Sequence, residues 1–301
     1  MKVVNNMVNI ANLATETRNE KTMNLDQLST GEIISIMNEE DLKVVDAVKK
    51  ALPQIEALIE QTVKAYKKGG RIIYIGAGTS GRLGLMDAVE VVPTFNSDRF
   101  VGLIAGGDNA FVKAVEGAED SKELCVEDLK KLELNDKDFV IGIAASGRTP
   151  YVIGGLDYAK QIGAGTGCVC CNFNTEIARH CDYPIELSAG PEVVMGSTRL
   201  KSGTCQKIVL NMISTVTMIK VGKVYGNLMI DVRATNEKLV ERCRNIVMAA
   251  TGCDHDKADE ALKETGNDCR IAIVMILLGL PKEEAEAKLN ESDGMIREAL
   301  K

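Results

Sequence analysis

The chain has 301 residues, of which 45% are hydrophobic and 26% charged, and its formal net charge is −7. That length suits two domains or one large one, and the composition is that of an ordinary globular protein. The acidic balance excludes a general nucleic-acid surface, and the longest apolar run, 271–280, is broken by Gly279 and too short to cross a bilayer.

Residues 1–30 are polar and irregular. Met1 to Ala14 has neither a compact apolar core nor a cleavage signature, so no export signal is expected. Thr30 and Glu32 open a helical region that runs, with breaks, to about Lys68. Pro53 fits the first turn of its last helix, and Gly69-Gly70 ends it. Strand and helix patterns then alternate. Strands are predicted at 71–76, 100–105, 138–143, 165–171 and, briefly, 183–187, with helices near 80–89, 108–116, 120–132 and 150–161. This alternation predicts an α/β fold with a doubly wound, mostly parallel sheet and helices on both faces. A long helix is expected over 200–225. Beyond Asn236 only helical periodicity continues, at 236–250, 255–264, 267–278, 282–289 and 293–300. The expected organisation is a domain over 1–235, with an N-terminal arm and helices, and a small helical module over 236–301. No short repeat is evident.

The most informative stretch is 71–90, RIIYIGAGTSGRLGLMDAVE. A short β-branched run meets a Gly-Ala-Gly-Thr-Ser-Gly turn and then an apolar helical pattern ending at Glu90. Strand, small-residue loop and helix start together form an anion cradle. Glycines admit close backbone approach, free amides point at the ligand, and Thr79 and Ser80 add hydroxyls. Gly76, Gly78 and Gly81 also satisfy the dinucleotide spacing G-x-G-x-x-G. The acid that such a site wants at the end of the second strand arrives late, as Asp108, and the Walker lysine is absent. Sugar phosphate and dinucleotide both remain open at this point. A second loop then tips the balance. Phe139 to Pro150, FVIGIAASGRTP, is again strand, small and hydroxyl residues, and helix start. Ser146, Gly147 and Thr149 are candidates to reach the same anion, because both loops lie at the carboxyl ends of parallel strands. Arg82 and Arg148 each follow the Ser-Gly of their loop and read equally well as helix salt-bridge residues.

Nine cysteines, an odd number scattered through strands and helices, read as reduced thiols of a cytoplasmic protein. Cys168 and Cys170 should face one side of a strand and Cys171 the other. No second cysteine pair stands at zinc spacing, and His180 and His255 are isolated, so no metal is implied. With two histidines in the chain, acid–base chemistry falls to carboxylates.

The paired loops resemble the sugar isomerase (SIS) domain family, a flavodoxin-like α/β fold, and within it the N-acetylmuramic acid 6-phosphate etherases. The resemblance rests on Gly76–Gly84 and Ala144–Tyr151. It extends to Thr15-Glu16-Thr17-Arg18-Asn19, Asp87–Phe95, Leu103–Gly107, Val115–Asp120, Gly196–Thr204 and Lys223–Met229. It spans almost the whole chain. Two departures lie near the site: Val91 stands where the family usually has Cys or Pro, and 96–100 is a couple of residues short. The resemblance implies a lyase that opens the sugar ring, removes the proton beside the aldehyde, expels D-lactate and adds water. It implies that Glu90 is the acid and Glu119 the second catalytic carboxylate, with Glu116 the near rival. It further implies a homodimer, a sugar phosphate as the small-molecule partner and no cofactor. A glutamate of ordinary pKa, about 4.3, is a poor acid at neutral pH, so the donor is expected to be desolvated. The flanking Val89, Val91 and Val92 fit that expectation. A sugar phosphate isomerase and a non-catalytic sugar-phosphate-binding regulator are the alternatives.

Overall fold

The computed structural model describes residues 13–301 apart from 114, 233 and 235. The expectation of no export signal falls almost wholly on 1–12, outside the described residues.

Two helices open the fold, α1 (Thr30–Lys50) and α2 (Leu52–Lys67). A capping box starts α1: Ser29 accepts from the Glu32 amide, and Glu32 reaches back to the Ser29 amide. Pro53 occupies the first turn of α2, as expected. The alternating region follows as β1 (Ile72–Gly76), α3 (Gly78–Phe95), β2 (Phe100–Ile104), α4 (Asn109–Val112), α5 (Lys122–Lys131), β3 (Phe139–Ala144), α6 (Pro150–Ile162), β4 (Gly165–Cys170) and β5 (Tyr183–Glu186). The five strands form one sheet in the order β2-β1-β3-β4-β5, with every neighbouring pair parallel. That is the flavodoxin-like doubly wound order, whose direction reverses between β1 and β3.

Both faces of the sheet are covered, which is why the strands read as continuous apolar runs. In β1, Ile72 and Tyr74 enter the core under α1, α2, α3 and α7 (Lys201–Lys220), whereas Ile73 and Ile75 enter the core under α5 and α6. Cys168 and Cys170 lie in the second core and Cys171 in the first, as the strand period requires.

Two boundaries differ from expectation by five residues or more. The helix predicted at 80–89 runs to Phe95 through Pro93, and Thr94 Oγ donates to the Glu90 carbonyl at 2.8 Å. The long helix stops at Lys220 rather than 225. Gly222 (φ +85°) turns the chain, and a small hairpin follows, β6 (Val224–Tyr225) with β7 (Leu228–Met229).

The remaining helices are α8 (Glu237–Thr251), α9 (His255–Thr265), α10 (Cys269–Leu278), α11 (Lys282–Glu291) and α12 (Ile296–Ala299). Asn236, Asp254 and Asp268 cap the first three, and left-handed Gly252, Gly266 and Gly279 end them. They share a third apolar cluster with Ile230 and Val232. Contrary to the sequence reading, this region contains a repeat. The pair α9–α10 and the pair α11–α12 each join through two left-handed residues, Gly266-Asn267 and Asp293-Gly294. The same hydrogen bond closes each turn, Asn267 N to Leu262 O at 2.8 Å and Gly294 N to Leu289 O at 2.9 Å. Ala258, Leu262 and Ala272 are buried, and so are their counterparts Ala285, Leu289 and Ala299. Arg270 and Arg297, also counterparts, both reach back to the chain entering the module, at Asp231 and the Tyr225 ring.

Candidate active site

The two loops singled out in the sequence flank the point between β1 and β3 where strand order reverses, the usual ligand crevice of such sheets. In the first loop the glycines divide their tasks. A Cβ on Gly81 would lie 2.7 Å from the Gly76 carbonyl oxygen, and one on Gly76 would lie 2.9 Å from the Gly81 nitrogen, so these two let α3 start against β1. Gly78 differs. Its φ is +53° and nothing lies within 4 Å of where its Cβ would be. The α3 N-cap is Ala77, which has no side-chain acceptor. The amides of Gly78, Thr79 and Ser80 consequently have no partner among the described residues, while Gly81 N bonds to Ala77 O at 3.1 Å. Three unpaired amides at the positive end of an 18-residue helix are an arrangement that favours an anion.

The second loop is braced from behind. Gly147 has φ +71°, and a Cβ there would meet Thr175 Cγ2 at 2.3 Å. Ile177 N donates to Gly147 O and Cys171 N to Ala145 O, both at 3.0 Å. Ser146 Oγ accepts from Arg148 N at 3.3 Å. Thr149 is the N-cap of α6, its side chain makes no capping bond, and its hydroxyl remains available. The Thr15–Asn19 motif belongs to this brace: Asn172 donates to Thr15 Oγ at 3.1 Å and to Ala145 O at 3.0 Å.

Glu116 and Glu119 lie on the opposite, β2 side of the α3 start. With Gly78 and Arg82 they line a cavity of about 260 Å³. Both glutamates are exposed, and Glu119 sits in a short turn, Ala118–Asp120.

Glu90 does not line this cavity. It lies on α3 about 18 Å along the axis from Gly78, at 1.5 Å of rise per residue. It is exposed, as are Met86, Val89 and Val92 on the same helix, and of the three valines beside it only Val91 turns inward, at 2% exposure. The desolvation expected of the donor is absent within one chain. Val91, the departure from the family pattern, packs in the core.

Sequence reasoning missed four groups. The first is Gln206 on α7. Ser80 Oγ, expected to reach the anion, instead donates to Gln206 Oε1 at 2.9 Å, leaving the Ser80 amide as its free donor. Gln206 Nε2 is buried with no partner among the described residues. The second is Asp87, which accepts from Tyr74 OH at 3.0 Å and Ser214 Oγ at 3.1 Å. Burial pushes its carboxyl up to about 6, against the pull of those two donors and of Lys207. The third is a buried pair, Glu40 and Lys201, 2.7 Å apart, with Asn19 donating to the same carboxylate oxygen at 2.9 Å. The fourth is Glu192, fully buried, which accepts from Lys201 N and Ser202 N, each at 2.9 Å, and from Ser202 Oγ at 2.8 Å. All four depend on partners tens of residues away or on buried loop carboxylates that local pattern does not mark. Among the described residues no group of three or more His, Cys, Asp or Glu is placed to hold a metal ion. No helix among them is long and apolar enough to cross a membrane.

Comparison with known proteins bears on this site. A model of the glucokinase regulatory protein N-terminal SIS domain matches residues 54–160, and one of the SIS domain matches 125–216. An N-acetylmuramic acid 6-phosphate etherase of Exiguobacterium sp. is 56% identical over 290 residues, covering 96% of this chain and 99% of that protein. The etherase of Clostridium beijerinckii is 57% identical over 295 residues and 97% of each chain. Etherase 2 of Enterococcus faecalis is 55% identical over 295 residues, 97% of this chain and 100% of its own. Among solved structures, a phosphoheptose isomerase from Neisseria gonorrhoeae superposes with a TM-score of 0.50 at 14% identity, covering 63% of this chain and 98% of that one. That likeness is one of fold.

Proposed function

We infer the function from one premise: this chain belongs to the N-acetylmuramic acid 6-phosphate etherase family. It is a carbon–oxygen lyase that converts N-acetylmuramic acid 6-phosphate into N-acetylglucosamine 6-phosphate and D-lactate, a step in the recycling of cell-wall amino sugars.

The phosphate is assigned to the amides of Gly78, Thr79 and Ser80 and to Ser146, Gly147 and Thr149 across the crevice. The observation that carries this reading is the open space at Gly78 beside three unpaired amides, with Glu119 lining the adjoining cavity. Opening of the sugar ring makes the proton on the second carbon acidic. Glu119 takes that proton, and the electron pair becomes a double bond to the third carbon. The bond to the lactyl oxygen breaks, and that oxygen receives a proton from Glu90. Water, deprotonated by Glu90, then adds to the third carbon, and Glu119 returns the proton to the second.

The position of Glu90 supports a shared site. A glutamate about three turns up α3 is remote from a phosphate held at the start of the same helix. The acid is therefore assigned to the partner subunit of a homodimer. The exposed apolar residues around Glu90 (Met86, Val89 and Val92), together with Ile219 on α7, make a face that a second copy would cover. Covering it would give Glu90 the desolvation that its task as a donor needs. The free thiols fit a cytoplasmic enzyme. The separate apolar cluster beginning at Ile230 supports a division near 236 between the catalytic domain and the helical module.

Incubation with N-acetylmuramic acid 6-phosphate tests the activity: an isomerase or a regulator would bind a sugar phosphate without releasing D-lactate. Glu90→Gln and Glu119→Gln are each expected to lose at least about a hundredfold in turnover while still binding substrate. Mixing and refolding the two inactive variants should restore about a quarter of the wild-type sites, because half of the dimers then carry one site with both glutamates. No recovery would place Glu90 and its substrate in one chain.

A further inference from the structure

Arg82 takes no part in the chemistry above. It lies in the first turns of α3 on the side facing β2. Its Nε donates to Phe111 O at 2.9 Å and its Nη2 to Ala110 O at 2.7 Å. Both acceptors are neutral carbonyls of α4. Among the described residues no carboxylate lies within 4.0 Å of the guanidinium, although Glu116 and Glu119 line the same cavity. Arg82 is the one cation among the lining residues. Its anchoring to two carbonyls restricts the side chain before any ligand arrives, and the remaining N–H groups keep the planar fork that suits a carboxylate.

The substrate carries two anions. The phosphate has its own donors in the amides at the α3 start and in the loop after β3. The lactyl carboxylate hangs from the third carbon of the sugar, next to the carbon that Glu119 deprotonates. It must therefore enter the neighbourhood of Glu116 and Glu119, where like charge opposes it unless a cation intervenes. We propose that Arg82 binds the lactyl carboxylate and so selects sugar phosphates that carry the lactyl ether. The proposal rests on the etherase reading. It assigns the fixing of Arg82 by α4 a purpose: the guanidinium is held ready beside Glu116 and Glu119, away from the loop after β3.

The test compares two ligands that share the phosphate and differ in the lactyl group. Arg82→Gln should raise KM for N-acetylmuramic acid 6-phosphate roughly ten- to a hundredfold, the range expected for losing a charge-assisted pair. The inhibition constant of N-acetylglucosamine 6-phosphate should move less than about twofold, since the phosphate contacts remain. Arg82→Lys, which keeps the charge and loses the fork, should fall between wild type and Arg82→Gln. Equal weakening of both ligands would make Arg82 a phosphate ligand and overturn the proposal. Unchanged KM with lower kcat and a lower melting temperature would make it a clamp for α4 and overturn it equally. Should the wild type release no D-lactate, the etherase reading fails. Direct binding of the two sugar phosphates to wild type and Arg82→Gln then still decides whether Arg82 reads the lactyl group.

Discussion

The N-termini of α3 and α7 come within van der Waals reach of each other: a Cβ on Gly203 would lie 3.5 Å from Thr79 Cγ2. Neither helix has a side-chain cap at its N-cap residue, Ala77 in one and Leu200 in the other. The two ends are nonetheless opposite in kind. In α7 the carboxylate of Glu192 takes the amides of Lys201 and Ser202, Gly203 N donates to Thr198 O, and Thr204 N to Leu200 O. In α3 the first three amides have no partner among the described residues. The helix dipole and orphan amides are common to both, so they do not make a ligand site by themselves. What separates the two is whether the chain supplies its own anion.

Removing that internal anion should give the largest effect. Glu192→Ala leaves two buried amides and a buried hydroxyl without an acceptor, each costing about 1–3 kcal/mol. A loss of about 3–5 kcal/mol in urea unfolding is expected, with the transition moving to lower denaturant. A loss below about 1 kcal/mol would mean that the α7 amides find other partners, and the contrast with α3 would not hold.

Acid and base titration should sharpen the contrast, because α3 carries the buried carboxyl of Asp87 while Lys201 at the start of α7 holds that of Glu40 on α1, and the two behave oppositely. Burial alone would raise the Glu40 carboxyl, but Lys201, Lys43 and Asn19 outweigh it and hold it at about 2. Its stabilisation, about 3 kcal/mol, is complete above pH 4.5 and is lost as pH falls through 2. Asp87 on α3 is raised from 3.8 to about 6, chiefly by burial. Its folded form holds a proton that the unfolded chain has already released. Its contribution, also about 3 kcal/mol, is complete below pH 3.8 and is lost as pH rises through 6. Asp87→Asn should flatten the decline between pH 4 and 6 in urea-unfolding free energy, and leave the acid limb set by Glu40 in place. An unchanged decline in that variant would assign it to another group.

Much of this contrast was hidden in the sequence, although the frame around it was not. The strand–helix alternation was readable because β1 and β3 are buried on both faces and so run as unbroken apolar segments. Gly78 stood out with Gly76 and Gly81, but spacing did not say that two of the three serve packing and one faces open space. Glu192 looked like any loop acid, because its partners are amides made available by a helix that starts nine residues later. Ser80 looked like a ligand donor, and Gln206, 126 residues on, holds its hydroxyl. Glu90 carries its role by resemblance, and a helical pattern that ends at it does not show that it stands about 18 Å along α3 from Gly78. The C-terminal repeat escaped notice because its turns use different letters, Gly-Asn and Asp-Gly, for the same left-handed pair.

The smallest structural effect belongs to Gly78, and it bears most directly on the open end. Gly78→Ala forces an alanine to φ +53°, a strain of about 1 kcal/mol, with no clash because nothing lies within 4 Å of the new methyl. The methyl would stand where a ligand approaches the three amides. The variant should therefore unfold nearly as wild type does, yet bind N-acetylglucosamine 6-phosphate at least about tenfold more weakly, since one hydrogen bond to a charged group is worth 1.5–3 kcal/mol. Gly203→Ala on the neighbouring helix supplies the control. Its Cβ finds only ordinary contacts, at 3.5 Å and beyond, in helical backbone where alanine is favoured by up to about 1 kcal/mol. Affinity within about twofold of wild type is expected there, as nothing at the closed end receives the phosphate. Equal loss of affinity in both variants would mean that the ligand lies between the two helices rather than on the amides of α3.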